Sequence, residues 1–237
     1  MPIYPMPHIS SENKLLASLP RADYERLFQQ GEVVKLNRGD TLYNAGDQIS
    51  YAYFPRAGML SLLSASEKGN VIEAAMVGNE GVVGIPIILR VETVPYHVTV
   101  QVSGEAFVLK ADIFRREFER GEALRDRILR YTHALLSHIT QSVICSRFHS
   151  IDERLCRWLL VTSDRVNSDK LELTQEIISQ MLGTPRTAVT VAALALQDAG
   201  IIRYRRGKIT ILSKKRLEAS SCECYEAVKR EIDALVA

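Results

Sequence analysis

Residues 172–212 carry the clearest periodic pattern of apolar and polar positions in the chain. In the first half of this segment, apolar residues recur every three or four positions, which predicts two short α-helices meeting at Leu182 and Gly183. In the second half, residues 201–204 and 208–212 read as strands around Arg205-Arg206-Gly207, which predicts a basic β-hairpin. The apolar positions of the two helices are Ile177, Ile178, Met181 and Leu182, then Val189, Ala192, Ala193, Leu196 and Ala199.

Cap and turn residues support these boundaries. Thr174 is predicted to cap the first helix, and Gly183 suits the left-handed residue that ends it. Thr184 is predicted to cap the second helix, with Pro185 in the first helical position, where a missing N–H has no cost. Opposite the apolar face, near its start, the second helix carries polar and small residues, which is the geometry of a recognition helix. These residues are Arg186, Thr187, Thr190 and Val191.

Together, the runs LTQEIISQMLGTPRT and LQDAGIIRYRRGKITIL resemble the DNA-binding domain of the Crp/Fnr superfamily of bacterial transcription regulators. The spacing from Thr174 through Gly183 and Arg186 to Gly200 and Gly207 is more specific than a lone helix-turn-helix pattern. The resemblance implies a winged helix-turn-helix, a homodimer on a palindromic promoter site, and RNA polymerase as a partner. The residue pattern alone leaves an alternative, an ordinary helical hairpin packed beside a small sheet.

The predicted contacts with double-stranded DNA divide between bases and phosphates. Arg186 is predicted to read a base directly, because its guanidinium fork matches O6 and N7 of guanine. Thr187, Thr190 and Val191 are predicted to give further base contacts. Many members of the superfamily carry glutamate in place of Thr187 and arginine in place of Val191. Because two common contacts are therefore missing, this chain is not predicted to bind the operator sequence of those members. The predicted phosphate contacts are Thr174, Gln175, Arg205, Arg206 and Lys208.

The N-terminal half has a different pattern of apolar residues and turns. Residues 12–30 show an apolar pattern interrupted by Pro20, which predicts short helices. From Glu32 onward, short β-type runs alternate with glycine turns, which predicts an antiparallel roll or barrel. The order of Arg38-Gly39-Asp40-Thr41-Leu42-Tyr43, Gly46-Asp47, Tyr53-Phe54 and Gly58 resembles the β-roll of cyclic-nucleotide-binding domains.

The resemblance also gives weak candidates for effector binding: Glu80, Gly81, Arg90 and His97. In the cyclic-nucleotide-binding members, a glycine–glutamate element holds phosphate and ribose, and an arginine on the next strand neutralises the phosphate. Here that strand begins Tyr96-His97-Val98, and Arg90 comes several residues early. Losing the charge-assisted contact removes roughly 1.5–3 kcal/mol, so cyclic nucleotide binding is disfavoured. The effector stays unknown, with His97 as a haem ligand an open alternative.

Residues 112–148 form a mostly helical stretch with one continuous apolar stripe. In the superfamily this helix pairs with its symmetry mate, so the resemblance assigns the stripe to a dimer interface. The periodicity itself equally fits a helix buried within one subunit. Two-fold symmetry suits DNA reading, because it places two recognition helices about one helical turn apart. The predicted interface residues are Leu124, Ile128, Tyr131, Leu135 and Ile139.

The expected fold class is α+β, with an N-terminal antiparallel, jelly-roll-like β-roll, a long dimerisation helix and a C-terminal winged helix-turn-helix. The predicted divisions are residues 1–111 for the sensing roll with its N-terminal helices, 112–148 for the dimerisation helix, 149–216 for DNA binding and 217–237 for a helical tail. Between Arg154 and Arg216, twelve basic residues face five acidic ones, although the whole chain has a net charge of only +2. Such a basic segment is typical of a module that binds a polyanion. Apolar runs are too short to span a bilayer, so the cytoplasm is the expected compartment and no membrane partner is expected.

The four cysteines are Cys145, Cys156, Cys222 and Cys224. Cys222 and Cys224 form a close pair without a second pair, so no metal site is predicted and reduced thiols are favoured over redox sensing. No iron–sulfur cluster is expected, because the N-terminal cysteines of the oxygen-sensing relatives are absent. The roll shows no convergent polar cluster, so an enzyme is not expected. The remaining alternative is an effector-sensing or scaffold protein with a degenerate DNA-binding domain.

Overall fold

The computed structural model describes residues 13–235, which begin with two short helices, α1 (Lys14–Ala17) and α2 (Arg21–Phe28). Pro20 separates them, as the sequence predicts, whereas the start of the predicted apolar pattern at residue 12 lies outside the described residues. Asn13 fixes the first helix: its side-chain oxygen accepts from the Leu16 N–H at 3.1 Å. Its amide donates to the carbonyls of Pro55 and Gly81, at 2.9 and 2.7 Å, which ties α1 to the β-roll.

Five antiparallel strands form the predicted N-terminal β-roll. Their order in the sheet is β1-β5-β3-β4, and β2 pairs with β5. Apolar side chains from both sides of the roll form one core together with α1, α2 and the long helix described below. The strands are β1 (Glu32–Leu36), β2 (Thr41–Tyr43), β3 (Tyr51–Ala65), β4 (Val71–Val77) and β5 (His97–Lys110).

β3 is longer than the sequence predicts. The pattern indicated two strands separated at Gly58, but the structure has one bent strand that shifts register against β5 on both sides of this glycine. Gly58 has φ of +83°, and a Cβ at this position would lie 2.5 Å from the Val102 carbonyl oxygen. The glycine therefore marks β-bulges inside a paired strand, and these bend the sheet without ending it.

The short helix α3 (Ile85–Ile88) lies between β4 and β5, and two helices follow the roll: α4 (Ala111–Glu119) and the 27-residue α5 (Glu122–Phe148). The predicted helical stretch 112–148 is thus two helices, interrupted where Gly121 adopts φ of +90°. α4 and the first half of α5 close the open side of the β-roll, with Phe114 fully buried.

The apolar stripe assigned to the dimer interface lies largely inside the subunit, so this prediction is corrected. Leu124, Ile128 and Tyr131 are at most 3% exposed and belong to the core of the β-roll. Leu135 also packs against that core, and Ile139 is half-buried. The roll needs an apolar cover, and the helical period alone could not show whether this stripe covers the roll or a second subunit.

A second stripe of α5 faces solvent. Leu129, Leu136 and Val143 recur every seven residues and are 49%, 59% and 64% exposed. A seven-residue repeat keeps apolar side chains on one narrow face of a helix, as in coiled coils. We name Leu129, Leu136 and Val143 the outer stripe of α5.

The C-terminal part contains the predicted winged helix-turn-helix, with one additional short strand. Ser150 and Glu153 form a capping box at the start of its first helix. After the wing come two helices separated by residues 220–223, and the second, which lies in the predicted helical tail of residues 217–237, packs on α5. The elements are α6 (Ile151–Val166), β6 (Lys170–Glu172), α7 (Gln175–Leu182), α8 (Arg186–Asp198), β7 (Ile202–Arg205), β8 (Lys208–Ile211), α9 (Lys214–Ala219) and α10 (Cys224–Asp233).

A second core joins this C-terminal part to the outer face of the β-roll. Met59, Leu63 and Met76 of the roll pack with the apolar residues of α6, α7 and α8. Trp158 is 1% exposed, and its indole N–H donates to the Glu73 carboxylate of β4 at 2.6 Å. The position of the C-terminal domain is therefore coupled to the roll by both apolar and polar contacts.

The Glu73 contact predicts a pH dependence. Burial raises the pKa of Glu73 to about 7, although hydrogen bonds from Ser61 and Trp158 oppose the shift. Because this folded-state pKa exceeds the ordinary value of 4.5, the stabilisation is fully present below about pH 4.5 and is lost as pH rises through about 7. Between pH 4.5 and 8, this ionisation should lower the unfolding free energy of the wild type by roughly 1–3 kcal/mol, and Glu73→Gln should not show that decrease.

Urea unfolding of the wild type and the Glu73→Gln variant at several pH values measures this effect. Glu67→Gln, at an exposed turn of the same roll, is the matched control and should keep the wild-type pH profile. Parallel profiles for Glu73→Gln and the wild type would contradict the prediction.

Candidate nucleic-acid interface

α7 and α8 form the helix-turn-helix through local capping and a left-handed turn. The Thr174 side chain accepts from the Ile177 N–H at 3.3 Å, and Gly183 ends α7 with φ of +57°, both as predicted. α8 begins one residue later than predicted, because Pro185 occupies its cap position and Thr184 does not cap it. Thr184 instead closes the turn: its N–H donates to the Ser179 carbonyl, and its carbonyl accepts from the Ser179 hydroxyl.

α8 buries the predicted face and exposes the opposite one. Val189, Ala192, Ala193 and Leu196 are buried, whereas Ala199, also predicted to face the core, is exposed at the C-terminal end. The exposed side begins with Arg186 and Thr187, includes the half-buried Thr190, and continues to Val191, which is 68% exposed. The four predicted base contacts therefore lie along one accessible side of α8.

A groove of about 380 Å³ lies between α8, the start of α7 and the β7–β8 hairpin. It brings together five of the predicted DNA-contacting residues, which come from all three elements. Within it, the Thr190 hydroxyl lies 3.0 Å from both the Gln175 side-chain oxygen and the Arg186 carbonyl, so it links the two helices. The five residues are Thr174, Gln175, Arg186, Thr190 and Arg206.

The hairpin forms the predicted wing. Arg206 and Gly207 both have positive φ, +50° and +74°, as a two-residue turn between right-twisted strands requires. Arg205 and Lys208 are exposed and paired in register at the ends of β7 and β8. Lys208 also forms an exposed ion pair with Glu172 at 3.1 Å. The wing thus presents a basic tip beside α8.

Three further residues line the groove and were missed by the sequence analysis: Leu194, Gln197 and Tyr204. The Gln197 side-chain oxygen accepts from the Tyr204 N–H at 2.9 Å, and the Tyr204 hydroxyl donates to the Leu173 carbonyl at 3.0 Å. These bonds fix the wing against α8 and against the start of α7. Leu194 and Gln197 continue the helical spacing from Thr190 and Val191, so this spacing could have identified both.

Glu80, the first effector candidate, forms an ion pair between the β-roll and the DNA-binding domain. Arg165 of α6 donates to Glu80 Oε1 at 2.8 Å, with both side chains at most 6% exposed, and the Gly78 N–H donates to the same oxygen. A second nitrogen of Arg165 lies 3.4 Å from His138 Nδ1. Burial and this guanidinium hold the pKa of His138 well below its usual range, so the imidazole is a neutral acceptor. The expectation that Glu80 is available to an effector is therefore corrected.

The other effector candidates have separate surroundings. Gly81 lies under the Tyr131 ring, and a Cβ at Gly81 would be 2.2 Å from that ring, so α5 covers this backbone directly. Arg90 is exposed and pairs with Glu119 of α4 at 3.0 Å. His97 Nδ1 accepts from the Ala45 N–H at 3.4 Å. Glu80 and Gly81 thus lie beneath α5, whereas Arg90 and His97 contact other parts of the protein.

Comparison with protein families matches both halves of the chain. The cyclic nucleotide-binding domain family matches residues 33–120, and the Crp-like helix-turn-helix domain family matches residues 153–220. Together the two matches cover more than half of the chain and coincide with the β-roll and with the helix-turn-helix. The chain belongs to the Crp/Fnr superfamily.

This Crp/Fnr protein matches its relatives over nearly their whole length. The global nitrogen regulator of Synechococcus elongatus is 24% identical in an alignment of 215 residues, and the match covers 86% of this chain and 96% of the relative. CLP, the c-di-GMP responsive global regulator of Xanthomonas campestris, is 14% identical with a TM-score of 0.66, over 82% of this chain and all of its own. A CRP/FNR family transcriptional regulator from Thermus thermophilus is 18% identical with a TM-score of 0.62, over 82% of this chain and 98% of its own.

These matches establish a Crp/Fnr-type transcription regulator with the predicted α+β architecture. The relatives are transcription regulators, a family that is not enzymatic. Within residues 13–235, no helix combines the length and apolarity needed to cross a bilayer.

The structure also changes the interpretation of the cysteines in this regulator. The pair Cys222 and Cys224, predicted to lack a second pair, lies beside Cys145 and His149 at the end of α5. The sequence analysis predicted no metal site, whereas the structure brings four potential metal ligands together at this point. Sequence spacing could not show this set, because its two halves are more than seventy residues apart.

Proposed function

We propose that this regulator binds a palindromic promoter site as a homodimer, with α8 in the major groove of each half-site. The observation that carries this proposal is the groove in which Arg186 and Thr190 of α8, Gln175 of α7 and Arg206 of the wing converge. Among the described residues that line it, two are arginines and none is acidic, which suits a polyanion. The β-roll, residues 1–111, is the proposed sensing part, and residues 149–216 bind DNA.

Within this proposal, the predicted contacts have distinct roles. Arg186 reads guanine through its fork, Thr187 and Thr190 add base or phosphate contacts, and Val191 contacts a thymine methyl. The start of α7, with its free N–H groups, and the basic wing hold phosphates and set the register. The corresponding phosphate contacts are Thr174, Gln175, Arg205, Arg206 and Lys208.

The homodimer uses the outer stripe of α5. Leu129, Leu136 and Val143 are exposed apolar residues on one face of the longest helix, which leads directly into the DNA-binding domain. Pairing of this face with a second copy would remove it from water and hold two recognition helices at a fixed separation. RNA polymerase is the proposed protein partner at the promoter.

Control by an effector other than a cyclic nucleotide, or activity without one, completes the proposal. Supporting it, Glu80 pairs with Arg165 across domains and Tyr131 covers Gly81, so the glycine–glutamate element is occupied by the protein itself. Rearrangement of α5 against the roll would alter the position of the two recognition helices.

In vitro selection of bound sequences from a random duplex pool tests the proposed function. The full chain is expected to enrich a two-fold symmetric site with a guanine in each half, separated by about one helical turn. Selection that yields no sequence preference would overturn specific recognition and favour the alternative of a sensor or scaffold with a degenerate DNA-binding domain.

Arg206→Ala should weaken binding to the selected site and to unrelated duplexes by similar factors. A phosphate contact carries no sequence information, and its loss should reduce the slope of log K against log salt by about 0.9 for each contact removed. Fluorescence anisotropy over a salt series measures the slope. Arg38→Ala, at an exposed turn of the β-roll, removes the same charge and should leave the slope unchanged. An unaltered slope in Arg206→Ala would exclude this wing contact.

A further inference from the structure

Four side chains of the types that bind metals meet where α5 ends. Cys145 lies in the last turn of α5, and His149 is the residue that caps it. Cys222 lies in the turn before α10, and Cys224 is the first residue of that helix. One ligand atom from each of the four side chains lies within 4.8 Å of the others. The set therefore joins two distant segments at one point.

The distances within this set suit a single tetrahedral ion. Cys145 Sγ lies 3.6 Å from Cys222 Sγ, and Cys224 Sγ lies 3.4 Å from His149 Nδ1. With Zn–S near 2.3 Å and Zn–N near 2.05 Å, a tetrahedron requires S···S of about 3.8 Å and S···N of about 3.6 Å. These two separations differ from the tetrahedral values by only about 0.2 Å, and all ligand-atom separations in the set lie within 4.8 Å. They also exceed a disulfide bond length of about 2.05 Å, and all four cysteines are free.

Neighbouring residues orient the ligand atoms as in known metal centres. His149 Nε2 lies 3.1 Å from Glu223 Oε1, so the imidazole donates from Nε2 and leaves Nδ1 as the ligand atom. The Gln141 amide donates to Cys224 Sγ at 3.0 Å, as a donor to a thiolate does. A carboxylate behind a ligating histidine fixes both its tautomer and its ring direction. This outer arrangement gives evidence independent of the four-residue cluster itself.

The four side chains are also well shielded from water. All three cysteines are at most 4% exposed, and His149 retains 13% of its side-chain surface. Thiolate and imidazole ligands select thiophilic ions, and a complete set of four protein ligands is typical of structural zinc. An iron–sulfur cluster would divide its ligands among several irons and hold them further apart.

We propose that Cys145, His149, Cys222 and Cys224 bind one tetrahedral metal ion of the Zn²⁺ class. The ion would link the end of α5 to the turn between α9 and α10. His149 lies two residues before α6, so the link would also restrain the connection between the long helix and the DNA-binding domain. A role for the tail follows, because it would supply two of the four ligands. Metal binding requires no DNA, so its failure would leave the proposed function untouched.

Titration of the reduced, metal-free full chain with Co²⁺ tests this site. One Co²⁺ per chain is expected, with the strong visible bands of tetrahedral cobalt and near-ultraviolet thiolate charge transfer, and added Zn²⁺ should abolish both. Cys224→Ala should lose these bands. The matched control is Cys156→Ala, which removes a buried thiol in α6 outside the cluster and should retain them. Circular dichroism confirms that each variant is folded.

A variant that keeps all four ligands makes the test independent of misfolding. Glu223→Gln weakens only the partner of His149 and should lower Zn²⁺ affinity about 10- to 100-fold, measured by competition with a chelator. Three results would overturn the proposal: no thiolate–cobalt bands in the folded wild type, bands that persist in Cys224→Ala, or wild-type affinity in Glu223→Gln. Formation of a Cys145–Cys222 disulfide in a chain that shows no cobalt bands would instead assign a redox pair.

Discussion

Arg186→Ala is expected to abolish sequence discrimination at one guanine in each half of the selected DNA site. A bidentate arginine–guanine contact contributes about 1–3 kcal/mol of discrimination, and a homodimer would lose it twice. The resulting loss of about 2–6 kcal/mol corresponds to a loss of affinity of roughly 30-fold to 10⁴-fold at constant salt. Fluorescence anisotropy with the selected duplex, and with one in which both guanines are replaced, measures the effect.

The two duplexes separate base reading from general attraction. Arg186→Ala should bind both with similar affinity, whereas the wild type should strongly prefer the selected one. Arg38→Ala changes net charge equally but lies in the β-roll, so it should retain the wild-type preference. If Arg186→Ala still prefers the selected duplex by the wild-type factor, then Arg186 does not read the guanine and the proposed orientation of α8 is wrong.

Leu136→Glu is expected to convert the proposed homodimer into monomers. Leu136 is the central residue of the outer stripe and is 59% exposed, so the isolated subunit should tolerate the change. In the dimer, two unpaired carboxylates would have to be buried, at a cost of several kcal/mol. The dissociation constant of the dimer should therefore rise at least about 100-fold, with a corresponding loss of binding to the palindrome. Sedimentation velocity over a concentration series measures it.

Two further variants distinguish the outer stripe from the buried one. Leu89→Glu makes the same substitution at a leucine that is 60% exposed after α3, and it should leave the dimer intact. Ile128→Ala should instead lower the stability of the subunit by about 2–5 kcal/mol, because it opens a cavity in the core of the β-roll. A stable dimer of Leu136→Glu would move the proposed interface away from α5.

The elements of the DNA-binding domain could be predicted from the sequence because they depend on local interactions. Thr174 caps α7, Gly183 takes the left-handed conformation after it, and Arg206-Gly207 forms a two-residue turn. Each of these needs only backbone groups within a few residues. The one-residue error at Thr184 has the same origin, since Pro185 competes with it for the cap position and wins.

The faces of α5 show where local patterns stop being sufficient. Both stripes of this helix have a helical repeat, and only packing reveals that Ile128 covers the β-roll whereas Leu136 faces solvent. Glu80 is a similar case, because its burial partner Arg165 is 85 residues away in the chain. The family resemblance at Glu80 and Gly81 therefore predicted the fold correctly, but it did not show that other parts of the chain cover these two residues and keep them from an effector.

By itself, the sequence determined the α+β architecture, the winged helix-turn-helix and the superfamily, since periodicity, caps and motif spacing are properties of neighbouring residues. The tertiary structure alone decided the exposed face of α5, the Glu80–Arg165 pair and the meeting of Cys145 and His149 with Cys222 and Cys224. Each of these depends on how segments distant in the chain are brought into contact by burial of apolar surface. No spacing rule within one segment encodes such a contact.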